Sequence, residues 1–323
     1  MMAAFATGWL AFSYSTAPAR ASLVVHASAG VAILLLAPWK SAIGRRGLAR
    51  RRPGWWASLA FSALVLVSIA AGILHSTGIL VAAGALTAME VHVGAAIVAI
   101  PFFAWHVYAR RSLLRLPDLS RRRLLQMGML AGSAGLTYAA GEIATRLGRL
   151  PGGDRRFTGS YELASFQPDL MPVTQWMFDP VPAIDAATWR LTLTLPARTH
   201  RLTYSDLAVH DHRLTALLDC TGGFCSRQEW AGVWLSELVA GGAGHARSIR
   251  VKSVTGYDRR FPVEELPRLL LATRIGGNPL SPGQGYPARL VAPDRRGYWW
   301  VKWVDTIEVD ELPYWWQLPF PMQ

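Results

Sequence analysis

The chain has 323 residues, 51% of them hydrophobic, and a formal net charge of +12. That length allows two domains of ordinary size. The positive charge sits mostly in arginine clusters beside apolar runs, the positive-inside bias of membrane proteins, and this argues against nucleic-acid binding. The two cysteines, Cys220 and Cys225, lie five residues apart, so they make a site and not a disulfide framework.

Residues 1–15 are apolar and aromatic but shorter than the about 20 residues a bilayer-spanning helix needs. They read as the tail of a longer membrane helix or as an interfacial segment, without the charged start of a cleavable signal. Residues 21–39 form a first predicted span, containing His26 and leading into Lys40, Arg45, Arg46, Arg50, Arg51 and Arg52. Residues 55–75 form a second, opened by a Trp pair and closed by His75. Residues 86–108 form a third, with His92 and His106, leading into Arg110, Arg111 and Arg115. Ser120-Arg121-Arg122-Arg123 then precedes a fourth apolar run, 124–144. The positive-inside rule puts the loops 40–52 and 110–123 in the cytoplasm and the C-terminal half outside it. The Ser-Arg-Arg-x-Leu-Leu run also reads as a twin-arginine export signal, which gives the same topology.

Residues 146–156 are polar, contain Pro-Gly-Gly-Asp and read as a linker. Beyond them, alternating or buried-strand patterns cover 189–195, 247–254, 288–292 and 299–309, with short helices over 204–208, 235–239 and 263–269. The expected fold class is an N-terminal all-α transmembrane helix bundle (1–145) plus a C-terminal α+β domain (157–323).

The most informative stretch is Leu217-Leu218-Asp219-Cys220-Thr221-Gly222-Gly223-Phe224-Cys225, followed by Trp230-Ala231-Gly232-Val233. It predicts a strand, a tight Gly turn presenting the Cys220 thiol, and then a helix. A thiolate held there suits a soft metal centre; the bland alternative is a buried core thiol. The segment resembles the active-site cysteine region of the sulfite-oxidase superfamily of molybdopterin enzymes, closest to the branch of the periplasmic methionine-sulfoxide reductase catalytic subunit. The resemblance extends in order across 157–309: Tyr161-Glu162 near the domain start, Thr255 after the cysteine, then Pro287-Ala288-Arg289-Leu290-Val291-Ala292-Pro293, Gly297 and Trp300-Val301-Lys302-Trp303. It implies that Cys220 is the molybdenum ligand. It also implies that Thr158, Tyr161, Glu162, Thr255, Gln284, Arg289, Trp300, Val301 and Lys302 contact the cofactor. Arg289 and Lys302 supply the positive charge that its phosphate needs. Gln284 replaces the family's usual Asn or His, Thr158 stands where the family has Asn, and Cys225 occupies a position often aromatic. The Cys-Ala-Gly-Asn-Arg form of true sulfite oxidases is absent.

Histidine within a membrane span is a functional hypothesis by default. His92 and His106 are 14 residues apart, about 21 Å along one helix face, a spacing that resembles the haem helix of b-type cytochromes. His26 lies at the depth of His92 and is its candidate partner on one haem; His75 competes for that role, and His106 has no evident partner. The bland alternative is polar glue between helices.

The expected whole is a multi-pass inner-membrane oxidoreductase with its molybdopterin domain outside the cytoplasm. It would exchange electrons through haem b with the quinone pool or another respiratory carrier. A small-molecule or protein sulfoxide is the expected substrate and sulfite-type oxidation the alternative. A metal-free membrane electron carrier or ligand-binding sensor is the rival class.

Overall fold

The computed structural model describes residues 1–49, 54–84, 86–109, 120–176, 179–242 and 244–318. Arg50, Arg51, Arg52, Arg110, Arg111 and Arg115, on which part of the topology argument rests, lie outside the described residues. The chain forms two compact units: Met1–Phe12 with Thr16–Tyr161, and Ser13–Ser15 with Glu162–Gln323.

The first unit is helical. It contains α1 (Met2–Ser13), α2 (Ala17–Ala49), α3 (Trp55–Thr77), a two-residue hairpin of β1 (Ala82–Ala83) and β2 (Leu86–Thr87), α4 (Ala88–Ala109) and α5 (Arg121–Leu147). Helix α4 starts at a reciprocal cap, in which Thr87 N–H donates to Glu90 and Glu90 N–H to Thr87 Oγ1. Helix α3 packs along α4, and α5 along α2. Large apolar side chains such as Leu66, Ile73, Val98 and Leu136 face outward.

Three helices, Ala17–Arg46, Trp55–Thr77 and Ala88–Ala109, are long and apolar enough to cross a membrane, by length and composition alone. The fourth expected span is a helix, but it is not among those three: Gln126, four glycines, Thr137 and Glu142 dilute its apolar character. The first fifteen residues give a helix of 12, shorter than a span. The expected linker is a docked turn, not a free tether. Pro151–Asp154 forms a 3-10 turn in which Gly152 is buried, and a Cβ on Gly152 would stand 2.1 Å from Ser76 O. Arg155 also pairs with Glu142 of α5.

The division between the units falls within β3 (Tyr161–Glu162), and the second unit continues through β4 (Arg190–Leu195), β5 (Arg198–Thr203), α6 (Tyr204–Ala208), β6 (His212–Asp219), β7 (Phe224–Trp234) and α7 (Leu235–Leu238). It closes with β8 (Ser248–Ser253), β9 (Asp258–Pro262), β10 (Leu270–Ile275), β11 (Asn278–Pro279), β12 (Arg289–Val291) and β13 (Val304–Asp310). One sheet has the order β5-β4-β13-β8-β9, parallel only between β4 and β13. In the other, β7 lies between β6 and β10, and β12 pairs with β10. Alternation reads correctly in β4, where Leu191, Leu193 and Leu195 are buried between polar neighbours.

Three local expectations change. The residues after the glycine turn form the 11-residue strand β7, and only then the four-residue α7. Residues on both faces of β7 are buried, so the strand lacks the alternation that marks a half-exposed one. The strand expected over 299–309 starts at Val304, because Gly297–Trp299 is a 3-10 turn and Trp303 sits at φ 52. Val263–Arg268 is 3-10, not α, with Pro267 inside it.

Candidate functional site

Strands β6 and β7 form a hairpin whose turn carries Cys220. Cys220 N–H donates to Phe224 O at 2.8 Å, and Gly223, at φ 99, returns its N–H to Cys220 O at 3.3 Å. Only glycine adopts that φ without strain. The Gly222 N–H and the Thr174 hydroxyl each lie 3.3 Å from Cys220 Sγ. A second loop braces the turn from behind. Arg296, fully buried, donates to Cys220 O at 2.8 Å and approaches the buried Asp219 carboxylate at 3.1 Å. Gly297 lies so close that a Cβ there would be 3.1 Å from Cys220 Cα.

The sequence reading missed one part of this brace. Residues 13–15, assigned to a membrane segment, belong to the second unit. Ser15 donates to Asp219 at 2.9 Å, Tyr298 OH bonds Ser13 Oγ at 2.7 Å, and Tyr14 pairs with Arg295. Three polar residues between two apolar runs were the only local signal.

Cys220 opens into a cleft of about 700 Å³, mouth included, that Asp179, Gln284, Arg289, Trp300 and Lys302 also line. Arg289 is 2% exposed and lies against two indoles that pack edge to face, 5.0 Å from Trp230 and 5.7 Å from Trp300. One guanidinium nitrogen donates to Gln284 O at 2.9 Å, while Nε is buried without a partner. Burial lowers its pKa to about 10, against a smaller opposing pull from Cys220. Lys302 donates to Thr174 O and Gly283 O at 2.8 and 2.6 Å. Burial first, and then Arg289, bring its pKa down to about 7. Neither cation forms an ion pair among the described residues. Two desolvated cations and an orphaned N–H beside a thiol fit a group that combines an anionic phosphate with a thiolate-binding metal.

The other expected contacts divide. Gln284 lines the cleft, but its side chain also caps its own turn and donates to Pro168 O at 2.6 Å. The N–H groups of Trp300 and Val301 are engaged by Gly297 O and Trp299 O, so they do not offer the free donors expected of them. Thr255 acts one step back: its hydroxyl donates at 3.0 Å to Asp179, whose carboxyl burial pushes up. Thr158, Tyr161 and Glu162 are not among the lining residues. Thr158 is buried in the first unit, Tyr161 donates to His75 O at 2.7 Å, and Glu162 accepts from Ser165 at 2.6 Å. Cys225 is buried on β7, in no disulfide, opposite Asp219.

Residues 178–315 match the family described as the oxidoreductase molybdopterin binding domain. That match falls within the second unit, whose mixed α/β architecture is the fold of a molybdopterin-binding domain. Among solved structures, the sulfane dehydrogenase SoxCD from Paracoccus pantotrophus is similar at 25% identity, over 41% of this chain and 40% of that one, with a TM-score of 0.39. The chain thus spans less than half the length of that relative. No curated protein matches it.

In the first unit the structure brings His26 and His92 together, with ring centroids 5.8 Å apart at 84°. Each donates Nδ1–H to a backbone carbonyl, His26 to Ala4 at 2.8 Å and His92 to Ser68 at 2.7 Å. A glycine faces each ring: a Cβ on Gly8 or Gly72 would come within 2.8 or 2.9 Å of it. His75 is buried with Nε2 held 2.6 Å from Gly159 O, so that nitrogen is occupied. His106 contacts Ser58 Oγ at 3.1 Å and packs near Phe61.

Proposed function

We propose that the chain is a membrane-anchored molybdopterin-dependent oxidoreductase. Its catalytic domain would lie outside the cytoplasm, with electrons passing through a haem b between His26 and His92 to or from the quinone pool. The cleft carries this reading: Cys220 stands beside Arg289, which is buried, and Lys302, which is partly buried, and among the described residues neither forms an ion pair. Bound there, the molybdenum cofactor supplies two-electron redox and oxo-transfer chemistry. Cys220 Sγ is its protein ligand, oriented by the Gly222 N–H and the Thr174 hydroxyl. Arg289 and Lys302 hold the pterin phosphate, and Trp230 and Trp300 keep water off the guanidinium. Asp179, bonded by the Thr255 hydroxyl, lines the cleft with its pKa pushed up by burial. A sulfoxide is the favoured substrate class, because the turn Cys220-Thr221-Gly222-Gly223-Phe224 departs from the sulfite-oxidase form.

Chain parity supports four crossings. Residues 13–15 and 162–323 make one unit, so the chain leaves and rejoins the same side of the membrane. Three crossings would separate them; α5, 27 residues and about 40 Å long, supplies the fourth. Fixing Nδ1 of His26 and His92 by carbonyls leaves Nε2 directed to a metal, the usual arrangement of a ligating imidazole.

The test is elemental analysis and a reduced-minus-oxidised spectrum of the detergent-purified full chain. Molybdenum near one per chain and a b-type α-band are expected. Cys220→Ser should abolish turnover, and His92→Ala should weaken the band. Molybdenum-free protein from cells that load other molybdoenzymes would overturn the catalytic reading; absence of the band would reduce the first unit to an anchor.

A further inference from the structure

Away from the cleft, at the opposite end of β6 from Cys220, two imidazoles and a carboxylate converge. His210, His212 and Glu237 present ligand atoms all within 4.8 Å of one another. His212 Nε2 lies 2.9 Å from Glu237 Oε2, and the His210 and His212 rings stack with centroids 6.3 Å apart. We propose that these three residues form a binding site for a borderline divalent transition-metal ion, Zn²⁺ being the reference case.

The backbone beneath the cluster is held in place. Arg274 of β10 grips the preceding loop, donating to Ala208 O at 2.8 Å, His210 O at 3.0 Å and Asp211 Oδ1 at 2.7 Å. His212 sits at the start of β6, in register with Gly232 of β7. Glu237 rides on α7, which follows β7 directly and is anchored by the fully buried Leu235, whose N–H donates to Leu269 O at 2.9 Å. The ligand side chains themselves are free to adjust: His212 is 42% and Glu237 44% exposed. Closing from 4.8 Å to the about 3.3 Å between ligands of a tetrahedral zinc takes side-chain rotation only, with metal–nitrogen bonds of about 2.0 Å.

The donor set selects the class of ion. Two imidazole nitrogens and one carboxylate suit Zn²⁺, Ni²⁺ or Cu²⁺; Mg²⁺ and Ca²⁺ prefer oxygen alone. Three protein ligands leave a position for water. Strand β6 separates the site from Cys220 by eight residues, roughly 26 Å of extended chain. The ion would therefore act outside the redox cleft, tying α7 to the start of the strand that carries Cys220.

The experiment is Zn²⁺ titration by calorimetry of the detergent-solubilised full chain, made without a polyhistidine tag and dialysed against a mild chelator that leaves its molybdenum in place. Wild type should bind about one Zn²⁺ that His210→Ala and Glu237→Gln each weaken by about tenfold or more. His200→Ala, elsewhere on the same unit, should leave binding unchanged, and excess Mg²⁺ should not compete. Glu237→Gln is nearly isosteric and exposed, so it decides the matter if a histidine variant misfolds. Equal Zn²⁺ affinity in wild type and Glu237→Gln would overturn the proposal, as would the absence of binding at millimolar Zn²⁺.

Discussion

Arg260, Arg295 and Arg296 are nearly as buried as Arg289, yet each of them ends on a carboxylate and Arg289 does not. Arg295 takes Glu265 with two nitrogens at 3.0 and 2.6 Å, Arg296 meets Asp219 at 3.1 Å, and Arg260 reaches Asp310 at 2.6 Å. Arg289 has two indole faces and one carbonyl, and its neighbour in the cleft, Lys302, has two carbonyls. Removing a cation from water costs several kcal/mol unless an anion offsets it. The first set recovers that cost inside the chain and so holds the fold together. On the proposed function, the second recovers it when the anionic cofactor enters. Arg259, also 2% exposed, ends on Gln317 Oε1 and Leu318 O away from the cleft, so a missing carboxylate points to a site only together with the cleft and the Cys220 thiol beside it.

The sharpest way to break this contrast is Asp219→Asn. It leaves Arg296 buried and uncompensated, and should destabilise the second unit by about 3–5 kcal/mol in denaturant unfolding. Molybdenum content should fall with it, since Arg296 also fixes the Cys220 carbonyl. Arg289→Met should act in the opposite direction on stability. The cofactor-free protein should unfold at the same or higher denaturant, by up to about 1–4 kcal/mol, while molybdenum content drops by about tenfold. A large loss of cofactor-free stability in Arg289→Met would put Arg289 among the structural arginines.

A smaller effect comes from pH. Lys302 is a base whose folded pKa, about 7, lies below its ordinary 10.5. Between those values the unfolded chain binds more protons, so stability of the cofactor-free protein rises with pH across that window. Below about 7 both states carry the proton, and the cost of burying the charge is present in full. Thermal unfolding of cofactor-free protein from pH 7 to 9 should show this rise, and Lys302→Met should flatten it. A bound phosphate reverses the preference by drawing the proton onto Lys302, so loaded protein should show a weaker slope. The smallest change expected is Cys225→Ser, within about 1 kcal/mol in unfolding and with most turnover retained; a loss of turnover as large as that of Cys220→Ser would bring Cys225 into the site.

The cysteine turn was legible because its signals are local. An apolar run, a cysteine and two glycines describe a strand end and a tight turn without any long-range information. The strand after it was not, because both faces of β7 are buried by parts of the fold distant in sequence, which removes the alternation. The docked Gly152 turn was read as a linker for a similar reason. Its composition is that of an exposed turn, and only contact with the end of α3 explains why glycine is required there.

By itself the sequence determined the division into an apolar, helical N-terminal half and a mixed α/β half, since hydropathy and period are properties of short windows. It also determined which thiol stands at a strand end, and which basic residues lie in an apolar setting. Tertiary structure decided what those residues meet. It put Arg289 against two tryptophans, gave Arg296 to Asp219, and set His26 against His92. It also brought Ser13–Ser15 from the far end of the chain onto the loop behind Cys220. Such pairings join residues up to 285 positions apart, as with Ser13 and Tyr298, and they follow from how strands and helices pack, which no window of sequence contains.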